Sequence, residues 1–147
     1  MKKLNKKKTS IIIEQVYLVK PKEVWRAITN KENMKLWYFT IDDFYLMEGR
    51  SFNFYEPGDT KKFHHHCVIK EIIPFKKFRH TWTYPKKSKG ESMLTWNIEA
   101  SKENTKITLI HEGIESFVDG GVDFARENYV VGWNEILEKT LKDFLEN

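Results

Sequence analysis

One cysteine, Cys67, stands in 147 residues, so the chain can form no internal disulfide, and its thiol content gives no sign of an oxidising compartment. Only four prolines and seven glycines occur, too few for a collagen-like or linker-like polymer. There is no Gly-rich phosphate loop, no Walker-type lysine motif and no G-x-S-x-G elbow, which removes the nucleotide-cradling and serine-hydrolase templates. No apolar run approaches the roughly 20 residues of a membrane span. The N-terminus also lacks the apolar stretch of a signal peptide. The expectation is a cytoplasmic protein without integral membrane association.

Acidic side chains are missing from residues 1–10, which hold Lys2, Lys3, Lys6, Lys7 and Lys8. Setting those five lysines aside turns the formal charge of +4 into −1 for the remainder. The basicity therefore belongs to a mobile tail over 1–10, and a nearly neutral single domain over 11–147 argues against a nucleic-acid partner. At this length one domain can bury roughly two thirds of its unfolded surface.

What the chain has in quantity is aromatic side chains, 14% of all residues, with ten Phe and five Trp. Residues 11–19 are apolar on both alternating faces, which predicts a strand covered on both sides. Pro21 opens a helix at its favoured first position, with Val24, Trp25 and Ile28 inward. Asn30 ends that helix and caps a second, Lys31–Trp37. From residue 41 the period is two, and about six further strands are expected, separated by polar turns such as 56–59, 85–90 and 101–104. Phe52 and Phe54 share one face. So do Phe78, His80, Trp82 and Tyr84, then Leu94, Trp96 and Ile98, then Ile107, Leu109 and His111. Residues 124–146 read as one amphipathic helix with Ala125, Tyr129, Trp133, Ile136, Thr140 and Phe144 inward and Leu137 and Leu141 beside them. Gly132 in mid-helix costs about 1 kcal/mol relative to Ala, which suggests a close approach there.

Three constellations invite chemistry. In His64-His65-His66 alternate side chains face apart, so at most His64 and His66 share a side, short of the roughly three or four ligands zinc takes. Cys67 follows His66 in a strand and so faces away from it, which excludes direct activation of the thiol by that imidazole. Asp42-Asp43 reads as a turn and edge pair. No metal, cofactor or catalytic set is expected. Ring stripes that carry an occasional polar group are a different matter, because ligand pockets combine apolar walls with a few convergent polar atoms. The residues expected to line such a pocket are Trp37, Phe52, Phe54, His66, His80, Trp82, Trp96, Tyr129 and Trp133.

The segments in order resemble a known family. Residues 21–30 (PKEVWRAITN) closing with Trp37, then 48–52 (EGRSF), 68–74 (VIKEIIP) with 80–82 (HTW), 105–113 (TKITLIHEG), and Gly132-Trp133 with Ile136, Leu137 and Leu141 are similar to the SRPBCC (START/Bet v 1-like) superfamily. Within it they resemble the Activator of Hsp90 ATPase homologue 1-like group. The family often has a Gly pair where this chain has Glu48-Gly49. The resemblance implies an α+β helix-grip fold, a curved antiparallel sheet wrapped around a long C-terminal helix, with two short helices after the first strand. It also implies non-catalytic binding of a hydrophobic or aromatic, lipid-like small molecule between sheet and helix. Two alternatives accompany it: a co-chaperone-like domain contacting Hsp90, and a cyclase- or hydrolase-type enzyme using a pocket histidine. No catalytic set is common to the family, so none is carried over. Oligomeric state is left open.

Overall fold

The computed structural model describes residues 9–56 and 62–147. The expected tail falls mainly on residues 1–8, outside the described residues. Ser10 is buried, and the carbonyls of Thr9 and Ser10 accept hydrogen bonds from the Arg126 side chain at 3.4 and 3.3 Å.

Strand β1 (Ile11–Tyr17) is followed by helices α1 (Pro21–Thr29) and α2 (Lys31–Trp37), then strands β2 (Ser51–Glu56), β3 (Phe63–Ile73), β4 (Lys77–Trp82), β5 (Ser92–Ser101) and β6 (Asn104–Glu112). All pair antiparallel in one curved sheet of order β1-β6-β5-β4-β3-β2. Five strands thus follow the helices, one fewer than the alternation suggested, because 38–50 crosses to β2 without regular structure. Pro21 stands in the first turn of α1, and the Asn30 side chain accepts from the Asn33 N–H at 3.0 Å, which caps α2. The α1–α2 corner is locked when the Trp37 indole donates to the Ala27 carbonyl at 2.8 Å.

β1 departs from expectation. Ile11 and Tyr17 are buried, but Ile12, Val16 and Leu18 are 57%, 42% and 66% exposed. Hydropathy alone implied two covered faces; in the fold the helices cover only one side of this edge strand.

The C-terminal helix also differs in detail. A short 3-10 turn, Val122–Phe124, precedes it, and α3 (Arg126–Glu135) runs through a π-helical segment, Ile136–Thr140, into α4 (Leu141–Glu146). The wider π turn brings residues four apart into line. Trp133, Leu137 and Leu141 therefore form the buried row, while Thr140 is exposed and Ile136 and Phe144 are half-buried. The Leu137 carbonyl, at the π segment, accepts from the Tyr17 hydroxyl at 2.8 Å, which ties the helix to β1. No atom approaches a Cβ built on Gly132 within 4 Å. No neighbour demands that glycine; it faces open space.

Candidate functional site: a cavity at the sheet–helix junction

Most of the sheet–helix interface is packed solid, but one end is hollow. A cavity of about 150 Å³ lies between the end of β3, Tyr84 beyond β4, the 3-10 turn and the first half of the C-terminal helix, open to solvent on one side. Its rim depends on the segment after β6. Gly113, at φ 88°, turns the chain into a 3-10 segment, Ile114–Gly120. That segment is strapped to the β4–β5 loop: the Asp119 carboxylate accepts from Ser88 Oγ and, at 2.8 Å, from the Lys89 N–H, and Ser116 Oγ accepts from the Glu91 N–H at 2.9 Å. The strap sets Phe117 and Phe124 against Tyr84, ring centroids 4.9 and 4.5 Å away.

Two polar groups converge on the aromatic walls. The Trp82 indole donates to the Tyr84 hydroxyl at 2.8 Å, and that hydroxyl bonds the Tyr129 hydroxyl at 2.8 Å. The Tyr84 oxygen has two lone pairs, so it can accept from Trp82 and share its second bond with Tyr129, either hydroxyl donating. Burial raises both phenols, so they remain protonated at neutral pH. The second group is His65. Its Nδ1 lies 3.1 Å from the Phe63 carbonyl, an acceptor only, so in the neutral ring Nδ1 carries the proton and Nε2 presents a lone pair. Burial pushes His65 down to about 4, outweighing the pull of the nearby carbonyls. Glu56 Oε2 lies 3.7 Å from Nε2, and desolvation raises the Glu56 carboxyl.

A second buried chain fixes the helix over the sheet. The Trp133 indole donates to His111 Nδ1 at 3.1 Å, which makes Nδ1 the unprotonated nitrogen. His111 Nε2 then donates to Ser92 Oγ at 2.8 Å, and Ser92 donates to the Trp82 carbonyl at 2.8 Å. Every proton in this chain is used. Burial holds His111 down to about 3, so it is a neutral strut.

The family model for Activator of Hsp90 ATPase homolog 1-like protein matches residues 18–146. The chain belongs to this family. Solved structures with the same fold include a protein from Chromobacterium violaceum, 17% identical with a TM-score of 0.77, covering 95% of this chain and 99% of that one. The Aha1 dimer from Colwellia psychrerythraea is 19% identical, with a TM-score of 0.73 and coverage of 93% and 96%. An HSP90 activator from Plasmodium falciparum is 22% identical, with a TM-score of 0.71 and coverage of 92% and 95%. At these identities the likeness concerns the fold. No protein with a curated description matches by sequence. Among the described residues no helix is long and apolar enough to cross a membrane.

In this Hsp90-activator-like domain the nine residues read from the sequence separate into groups. Trp82, Tyr129 and Trp133 line the cavity. Trp37, Phe52, His80 and Trp96 surround only a residual void of about 10 Å³ deeper in the core. Phe54 is buried, stacked on His65 with ring centroids 4.4 Å apart. His66 lies on the opposite face of β3, where His66 Nδ1 and His64 Nε2 share the Asn53 side-chain oxygen at 2.9 and 2.8 Å. That sharing of one side by His64 and His66 agrees with strand alternation. Among the described residues no cluster of three or more His, Cys, Asp or Glu has a metal-holding arrangement. Sequence reasoning missed His65, Glu56, Phe63 and Phe124. A signal for His65 existed: it has the parity of Cys67 and Ile69, both fully buried, and so faces inward.

Proposed function

We propose that this protein is a non-catalytic binding module for an apolar or aromatic small molecule, held between the sheet and the C-terminal helix. The carrying observation is the aromatic cavity of about 150 Å³ with the polar side chains of Tyr129 and His65 in its lining. An apolar void of that size accommodates about one benzene ring. Burying about 150 Å² of such a ring is worth about 4 kcal/mol gross, and association costs offset part of it, so a Kd of about 1 mM or tighter draws on the polar groups.

The protonation states support binding over catalysis. A general acid–base group works best with a pKa near the operating pH. His65 is held near 4, and both phenols lie above their ordinary value. Cys67 is buried, and burial raises its thiol, so it is no nucleophile. Titration with benzene- and indole-sized compounds, followed by NMR of the Trp indole N–H signals, tests the reading. Saturable shifts of the Trp82 and Trp133 signals are expected. No saturable shift up to the solubility limit refutes the proposal.

A second reading, contact with the chaperone Hsp90 in the cytoplasm, is favoured by the family match and by the neighbour described as an HSP90 activator. Stimulation of Hsp90 ATPase turnover by the purified chain tests it, and unchanged turnover at saturating protein counts against it.

A further inference from the structure

Resting on the reading that this cavity binds a small molecule, we propose that its ligand is a cation: a primary or secondary ammonium carried on a single-ring aromatic body. Seven of the thirteen lining side chains are Phe, Tyr or Trp, and the faces of such rings carry the negative part of the quadrupole. The charged lining residues, Glu56 and Asp123, are both acidic, and no Lys or Arg among the described residues lines the cavity. Lys62 Nζ sits 5.1 Å over the ring of the lining residue Phe63, but Lys62 is not itself a lining residue.

The polar geometry selects the same class. His65 Nε2 is a lone pair, because Nδ1 is committed as a donor to the Phe63 carbonyl. Glu56 Oε2, a second acceptor, lies 3.7 Å away, too far for a hydrogen bond between them. Two acceptors at that separation can both be reached from one nitrogen placed at ordinary hydrogen-bond length from each, provided it carries at least two N–H groups. A primary or secondary ammonium does; a quaternary ammonium, a ketone or an ether does not. A carboxylate or phenolate would set negative charge against two carboxylates and a lone pair. Glu56 is half-exposed, and burial without a countering cation raises its carboxyl, so an incoming ammonium supplies the missing partner. The aromatic ring then occupies the enclosed end against Trp82, Tyr129 and Trp133, with Gly132 leaving room beside it.

The test uses the full chain at pH 7 with three probes of one shape: 2-phenylethylamine, 2-phenylethanol and phenylacetate, each titrated by calorimetry. The amine is expected to bind at least about 10-fold more tightly than the alcohol, and phenylacetate most weakly. Glu56→Gln, a change at a half-exposed side chain, should shrink the amine-to-alcohol ratio to about threefold or less. An amine no tighter than the alcohol, a preference for phenylacetate, or an unchanged ratio in Glu56→Gln overturns the cation proposal while leaving a binding cavity in place. Failure of all three probes to bind overturns the binding reading, and the cation proposal with it.

Discussion

Trp133 is where the C-terminal helix meets the sheet, and its removal divides into parts that can be measured apart. The side chain is 3% exposed, with ring centroids 5.4 Å from Trp82 and 6.0 Å from Trp96, and its N–H satisfies His111, which is completely buried. Trp133→Ala removes the ring and should cost about 3–5 kcal/mol. Trp133→Phe keeps most of the ring and strands His111 Nδ1, a loss of about 1–3 kcal/mol. At about 2–4 °C per kcal/mol for a chain of this size, the expected falls in Tm are about 6–20 °C and about 2–12 °C. Thermal and urea unfolding followed by circular dichroism measure both. Trp25→Ala is the control: Trp25 is buried against Phe75 and Phe78, remote from the cavity lining. It should destabilise comparably and leave probe affinity of the folded protein unchanged, whereas Trp133→Ala weakens it. A Trp133→Phe variant within about 0.5 kcal/mol of the parent would refute the His111 strut. A neutral Trp133→Ala would mean that the helix does not close the fold, and equal losses of affinity in Trp133→Ala and Trp25→Ala would remove the cavity as the site.

Acid should unfold the protein early. His65, His80 and His111 are held near 4, 4 and 3 by burial, below the ordinary 6.5. The unfolded chain therefore takes up protons first as pH falls below about 6.5, and stability declines from there to about 4. At up to about 1.4 kcal/mol per pH unit for each ring, the loss reaches about 6 kcal/mol at pH 5. An unchanged Tm between pH 7 and pH 5 contradicts the buried neutral histidines. Gly132→Ala meets no atom within 4 Å and should stabilise the helix by about 0.4–1 kcal/mol while lowering affinity for a single-ring probe; destabilisation in urea would show that the position is constrained after all. Deleting residues 1–8 should leave the Tm within about 2 °C, since a stretch holding five lysines can bury little apolar area; a fall of about 10 °C would overturn that expectation. Tag-free protein should carry well under one zinc, nickel or iron per chain by elemental analysis, and near-stoichiometric metal lost in His64→Ala overturns that expectation.

The class of fold was legible because its signals are local. Pro21 and Asn30 punctuate two short helices by backbone geometry, and period-two stripes such as Phe78, His80 and Trp82 mark strand faces wherever the strand sits. The long helix announced itself by its apolar spacing, and five motifs in order indicated the family. Local pattern cannot say which apolar face finds a neighbour. Ile12, Val16 and Leu18 have the hydropathy of core residues, yet they lie on the uncovered side of an edge strand. Nor does a periodicity of 3.6 foresee the π segment, which shifts the buried row to Trp133, Leu137 and Leu141 and leaves Thr140 in solvent.

Three of the nine expected lining residues meet at the cavity, and the reason lies in packing. A stripe of rings is the same sequence signal whether the rings interlock or stand apart. Around Trp37, Phe52, His80 and Trp96 the two short helices press onto the sheet and fill the space. At the far end Phe124 packs on Tyr84 and the helix reaches Tyr84 through Tyr129, and a cavity remains among these side chains, His65 and Trp133. The sequence by itself determined the strand faces, the caps and the aromatic supply, all properties of a residue and its near neighbours. Only the tertiary structure decided where those faces fail to close, and which histidine looks into the gap.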